Sequence, residues 1–367
     1  MPLSNCLTSR NAPEVAAAHL PPEDLYGRLL LALLHILERQ PAHALCRYCA
    51  TVFKPEEAQS QMMSLWAGEG DKEEGSSGGS LAATRAAGSV AWERARRQRA
   101  LMISEWRALT DAGICAAPSR LYLWAKCLLL TRALHVPGVG PTLCPLIDLA
   151  NHLSLGATAR WQLVEDVRGG GEPHVQLLAN YTLDVGEEVT LCYDPDADYV
   201  DLFERYGFFD TSAVVHTAEV AVPTGALARC AAGGEDLEAW RAELVAAQAE
   251  RGRDDELGAW WVPDTAIDSC PLFAAVRATL VSKEELGTEM SKKHADEVLR
   301  RPIVREDEAR AKLAALLQSH LNRYTCTPEC AARDLQSGLL TTAEEAATRL
   351  LYFESTLLQA QLKVLQS

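Results

Sequence analysis

Asp148, Asn151 and His152 place a carboxylate, an amide and an imidazole within five positions of the stretch CPLIDLANHLSLG, residues 144–156, straight after a Pro-bounded apolar run. A second group follows in GEEVTLCYDPDADYVDLFERYGF, where Tyr193 ends a strand-like run and Tyr206-Gly207-Phe208 comes thirteen residues on. Two tyrosines and a phenylalanine beside an Asn-His pair make an aromatic-walled slot with hydrogen-bonding tips. Such a slot suits an alkylammonium chain or an adenine ring. Taken singly, each residue also has an ordinary structural role: Asp148 can cap a turn, Asn151 can serve an Asx-turn, and His152 can be a satisfied buried histidine.

These residues need elements to hold them. PPEDLYGRLLLALLHILERQP carries Leu25, Leu29, Leu33, Ile36 and Leu37 at helical spacing and predicts a buried amphipathic helix closed by Pro41. Residues 67–91, rich in Gly, Ser and charge, predict a flexible insertion. WERARRQRALMISEWRAL is basic and helical, with a solvated face as its plain reading. SRLYLWAKCLLLTRALHV predicts a second apolar helix over 119–136, stopped by Pro137-Gly138. Between 158 and 193 the period changes: ARWQLVEDV, HVQLLANYTL and EEVTLCY are strand-length runs parted by RGGGEP and DVGE, which predicts an antiparallel β unit. Past Phe208 the pattern is mainly helical, as in EDLEAWRAELVAAQAERG, EDEARAKLAALLQSHLNRY and TAEEAATRLLYFESTLLQAQLKVL, with a domain boundary near 211–216.

The 367 residues suffice for two domains. A hydrophobic share of 48% without any run of about twenty apolar residues argues for a soluble globular protein, intracellular and without membrane partners. A net charge of −15 opposes a protein built to grip phosphate backbones, so nucleic acid is not an expected partner. The eleven cysteines include the close pairs Cys46/Cys49 and Cys326/Cys330, which stand alone instead of forming one ligand set. They read as reduced thiols, and no metal is expected. His135, His174, His216, His294 and His320 have no ligand spacing between them and read as structural or exposed.

In this order, Asp148-x-x-Asn151-His152, GEEV, Tyr193 and YGF resemble the C-terminal half of a SET domain, and more narrowly that of the Rubisco large-subunit methyltransferase family. WAKCLLLTRAL is similar to a family helix that sets Arg132 at a recurrent arginine, and residues 321–358 are similar to the family's closing helices. The resemblance extends over most of the chain and is specific over 119–208. It implies an α+β chain: a SET-type antiparallel β-fold with helical insertion over 1–212, followed by an all-helical substrate-binding domain over 213–367. It also implies S-adenosylmethionine as cofactor and methylation of a lysine on a non-histone protein substrate.

By the same resemblance Tyr193 is the catalytic tyrosine, Asn151, His152, Tyr206 and Phe208 bind the cofactor, and Arg132 and Asp148 lie on the substrate side. Measured against the family, MPLSNCLTSRNAPEVAAAHL joins after an opening Gly-rich strand pair, which implies an N-terminally incomplete SET domain, and Tyr199 stands where an Asn is usual. Two other readings stay open: a catalytically silent SET-like binding module, and a protein-histidine N-methyltransferase.

Overall fold

The computed structural model describes residues 1–11, 20–40, 42–54, 62–66, 81–165, 172–210, 212, 216–222, 226–229, 238–254, 258–264, 267–287 and 292–367. The chain divides into two compact units, Met1–Glu69 with Arg96–Val214, and Gly70–Ala95 with Val215–Ser367. A single cut near 212 therefore does not separate them, because part of the insertion belongs to the C-terminal unit.

The first unit opens with strand β1 (Leu7–Thr8) and helices α1 (Leu25–Arg39) and α2 (Ala44–Val52). Asp24 caps α1, accepting from the Gly27 amide, and Leu29 to Leu34 are all buried, so the middle of this helix is apolar on every side. After α3 (Leu81–Ala86), which belongs to the second unit, and α4 (Val90–Asp111), the chain continues through α5 (Ser119–Arg132) into strands β2 (Ala133–Val136) and β3 (Gly140–Leu143). The single helix expected over 119–136 is thus a helix followed by a strand. Ala133 turns to extended backbone, and residues 133–136 pair antiparallel with 140–143 across a turn at Pro137-Gly138, where Gly138 takes φ 72°.

Strand β3 is the centre of a three-stranded sheet, with β1 on one side and β2 on the other. Beyond it lie β4 (Asn151–His152), β5 (Ala159–Val164), β6 (His174–Ala179), β7 (Thr190–Leu191) and helix α6 (Tyr199–Tyr206). Strands β5 and β6 form the expected antiparallel pair over six residue pairs, while the EEVTLCY run yields only the short β7, parallel to β4. Most of the RGGGEP turn lies outside the described residues. The first residues run along β6: the Met1 amino group donates to the Val175 carbonyl at 2.8 Å, and the Leu3 amide donates to Pro173 at 3.0 Å.

The flexible insertion expected over 67–91 is corrected in its second part, while 67–80 lies outside the described residues. Residues 81–86 form α3, whose small buried faces Ala82 and Ala86 let it pack closely on the last helix, and Arg85 pairs with Asp334. Ser89 accepts from the Trp92 amide and starts α4. Alanine-rich sequence has high helix propensity, and tertiary docking supplies the rest.

The second unit is helical as expected: α7 (Ala239–Gly252), α8 (Pro271–Ala278), α9 (Lys292–Leu299), α10 (Glu306–Leu321), α11 (Pro328–Ser337) and α12 (Thr342–Gln366). It also carries an unexpected three-stranded antiparallel sheet, with Ala259–Pro263 between Thr217–Ala221 and Arg253–Asp254. Short alternating segments such as AEVAV and AWWVP left little strand signal against long helical neighbours. The core gathers Trp260, Phe273, Leu313, Leu317, Leu357 and Leu358.

Arg277, fully buried on α8, organises this core. Its guanidinium stacks 3.9 Å from the Phe273 ring centroid, donates to Glu306 at 3.0 and 2.5 Å, and donates to the carbonyls of Asp268 and Leu299 at 2.8 and 3.1 Å. A lysine would keep the charge and lose the planar fork. Arg277→Lys is therefore expected to cost about 2–3 kcal/mol of stability, because several buried acceptors lose their donors. Denaturant unfolding would read this as a lower midpoint at unchanged slope, and an unchanged midpoint would refute the role given to the fork.

Candidate active site

The site lies in the first unit, around the β4–β7 pair. Asn151 faces Thr190 and His152 faces Leu191 in parallel register, so two residues of the sequence motif are held by a strand that arrives forty residues later. Asn151 is exposed and its amide donates to Glu188 at 2.6 Å. His152 turns inward. Its Nδ1 accepts from the Tyr193 amide at 3.0 Å, which in the neutral ring leaves the proton on Nε2, 2.8 Å from Ser154 Oγ and 3.5 Å from the Asp210 carboxylate.

Burial lowers the His152 pKa, against the opposing pull of Asp210 and Asp194. The Asp210 carboxylate thus lies 3.5 Å from a ring that burial biases toward its neutral form. Asp210 itself is held in place by the Ser154 and Ser212 amides, each at 2.8 Å, and by the Ser212 hydroxyl at 2.7 Å. Partial burial pushes its pKa up, but these hydrogen bonds outweigh it and bring it to about 2.

Tyr193 stands at the centre. Its ring centroid is 5.0 Å from His152, 5.0 Å from Tyr206 and 6.3 Å from Phe208, and Phe208 lies 5.6 Å from His152. Its hydroxyl donates to the Ala150 carbonyl at 2.7 Å. Burial is the main reason that its pKa is pushed up to about 12, with Arg132 opposing and Tyr206 and Asp148 reinforcing. The phenol is neutral at pH 7 and can orient a partner, but it is not an available base. Helix α6 sets the two remaining rings: Asp198 makes a capping box at its start, and Gly207, at φ 80°, ends it in the left-handed conformation that turns Phe208 back over Tyr193. Tyr199 is the first residue of this helix, buried with its ring 6.2 Å from Phe209.

Arg132 and Asp148 also meet. Arg132 donates to the Asp148 carbonyl at 2.8 Å and to the Val52 carbonyl at 2.7 Å. The Asp148 carboxylate is buried and accepts from the Tyr48 hydroxyl. Burial raises its pKa, against the Tyr48 hydrogen bond and the Arg132 charge. Sequence reasoning missed Tyr48, Glu188 and Asp210. Glu188 stood in the quoted GEEV, and the Asp-Thr-Ser step after Phe209 is a side-chain turn signal that could have drawn notice to Asp210. Tyr48 has no local signal, since its partner is a hundred residues away.

This architecture aligns with solved chains. Over the whole of this chain and 80% of the other, it superposes with TM-score 0.70 at 16% identity on the SET domain of LSMT bound to MeLysine and AdoHcy. The same coverage and identity, at TM-score 0.67, hold for Rubisco LSMT bound to AdoMet. The chain has the SET fold. In sequence it is 32% identical over 115 residues to SET domain-containing protein 8 of Schizosaccharomyces pombe, a match to 30% of this chain. The chain spans a quarter of that relative's length, 25%. No protein-family model matches it. The motif that carried the resemblance falls on β4, β7 and α6. Among the described residues no group of three or more His, Cys, Asp or Glu side chains is arranged to hold a metal ion, and no helix is long and apolar enough to cross a membrane.

Proposed function

We propose that the chain transfers a methyl group from S-adenosylmethionine to a lysine amine on a non-histone protein. The observation that carries this reading is the meeting of Asn151, His152, Tyr193, Tyr206 and Phe208 at the parallel β4–β7 pair of a SET fold. It is supported by structural neighbours at 16% identity that were solved with AdoHcy or AdoMet and with lysine or methyl-lysine.

The residues present fit such a cofactor. Asn151 offers an exposed amide, Tyr206 and Phe208 offer aromatic faces, and Asp194 and Asp210 place negative charge around His152, which favours a cationic ligand. When bound, S-adenosylmethionine supplies an electrophilic methyl carbon on a cationic sulfur, which the acceptor amine displaces in line. The chain's own contribution is alignment and exclusion of water. Free lysine has a pKa near ~10.4 and must lose its proton before it can attack. An aromatic slot without an ionised base leaves desolvation to disfavour the ammonium. Tyr193 orients the amine with its hydroxyl, Tyr206 and Phe208 keep water out, and Arg132 and Asp148 support the substrate side. The second unit serves as the clamp for the protein substrate.

Calorimetric titration with S-adenosylmethionine and S-adenosylhomocysteine tests the cofactor half of the reading. Asn151→Ala is expected to weaken binding about tenfold, near 1.4 kcal/mol. A folded wild-type chain that binds neither ligand would leave the protein-binding module as the better reading. Labelled methyl transfer to protein, followed by acid hydrolysis, tests the rest: methyl-lysine supports the proposal, and methylhistidine replaces its acceptor.

A further inference from the structure

We infer that Tyr48, on the helical insertion, is a positioning residue for the cofactor side of the slot, acting through the bend at residues 145–150. Its hydroxyl is used twice. It donates to the Asp148 carboxylate and accepts from the Leu146 amide at 2.9 Å, so one group ties together both ends of a three-residue step.

That step is strained. Leu146 is the one non-glycine residue with positive φ among the described residues, at 75°, and it leaves 64% of an apolar side chain exposed. A side-chain-bearing residue in this region costs roughly 1–2 kcal/mol, which persists only where neighbours over-determine it. Helix α2 supplies that restraint by two routes. Tyr48 bonds the bend directly, while Val52, one turn further on, receives the Arg132 guanidinium whose other nitrogen donates to the Asp148 carbonyl.

The far end of the bend is the site. The Ala150 carbonyl receives the Tyr193 hydroxyl at 2.7 Å, Asn151 and His152 follow directly, and His152 Nδ1 accepts the Tyr193 amide. Only the step from 148 to 150 separates the Tyr48 anchor from the atoms that orient Tyr193. The second carboxylate oxygen of Asp148 and Nε of Arg132 are buried without hydrogen-bond partners, so the Tyr48 hydroxyl is the side-chain donor that the buried carboxylate has. The hydroxyl of Tyr48 thereby sets the register of the Ala150 carbonyl and of Asn151.

The affinity arm of the test rests on the proposed cofactor, and the exchange arm does not. Tyr48→Phe keeps the ring and removes both hydrogen bonds. It is expected to weaken S-adenosylhomocysteine about tenfold by calorimetry, and to speed amide exchange in peptides covering 145–153 and 190–194 while leaving 259–263 unchanged. Combined with Asn151→Ala it is expected to add less than about threefold, because both changes act through the same residue. Exchange that quickens only at 146–149, with affinity within twofold of wild type, would reduce Tyr48 to a local brace and overturn the inference. Additive losses with Asn151→Ala would overturn it as well. Absence of wild-type affinity would fail the cofactor reading alone, since exchange at 190–194 still decides whether Tyr48 reaches Tyr193. Should Tyr48→Phe not fold, Asp148→Asn carries the same exchange test: faster exchange at 190–194 supports the coupling, and none overturns it.

Discussion

Tyr193→Phe is expected to lower methyl transfer on the order of a hundredfold, while affinity for S-adenosylhomocysteine stays within about threefold of wild type. The ring keeps its packing against His152, Tyr206 and Phe208, so the walls of the slot survive. What disappears is a neutral hydroxyl held at 2.7 Å from the Ala150 carbonyl, with a pKa pushed up to about 12 that keeps it protonated. A group with that pKa contributes by orientation and dipole, and orientation acts on the rate of an in-line displacement more than on cofactor binding. Tritiated methyl transfer to an arrayed library of lysine peptides, run under single turnover, measures the effect. A variant as fast as wild type would remove Tyr193 from the catalytic role, and one that lost affinity in proportion to rate would make it a binding residue.

Acid is expected to destabilise the second unit through His320. This histidine is 1% exposed at the end of α10, accepts the Ala221 amide on Nδ1 at 3.2 Å, and lies 3.3 Å from the Tyr324 hydroxyl, which donates to the buried Glu354 at 2.8 Å. Burial first, and the neighbouring Arg323 second, lower its pKa from 6.5 to about 3. A group whose folded pKa is depressed contributes stability that is whole above the unfolded value and is lost as pH falls through the window between the two. Across the full window the loss amounts to roughly 5 kcal/mol, and between pH 7 and 4.5 to about 3 kcal/mol. His320→Asn puts an amide oxygen near the Nδ1 position without a titrating ring. Its unfolding free energy, followed by denaturant at several pH values, is expected to fall less steeply below pH 6.5 than that of wild type. Parallel slopes for the two proteins would show that another group carries the acid sensitivity.

The residues of the slot were legible because their spacing is local. Asn151 and His152 are neighbours, Tyr193 ends a β-type run, and the YGF step carries its own glycine stop, so type and order alone brought five side chains under suspicion. Helices α1, α10 and α12 were legible for the same reason: apolar periodicity acts within one segment, and in α1 and α12 so do the capping residues Asp24 and Thr341. Less was visible where a segment's state depends on a distant partner. Residues 81–86 look like loop by composition and become helix when Ala82 and Ala86 dock on α12. Residues 133–136 carry on a helical pattern and become a strand because 140–143 lie beside them.

By itself the sequence determined the α+β character of the chain, its main helices, and the chemical vocabulary of the site: an amide, an imidazole and three aromatic rings with two hydroxyl tips. Those are properties of side chains and of interactions spanning a few residues. Only the tertiary structure decided how they are used. It paired β4 with a strand forty residues away, set the imidazole proton on Nε2 by giving Nδ1 the Tyr193 amide, and joined Arg132 to the Asp148 carbonyl. It also brought Tyr48 across a hundred residues to brace the bend that ends at Ala150. Hydrogen bonds over such separations form only after the cores on either side have packed, so no local pattern in the chain records them.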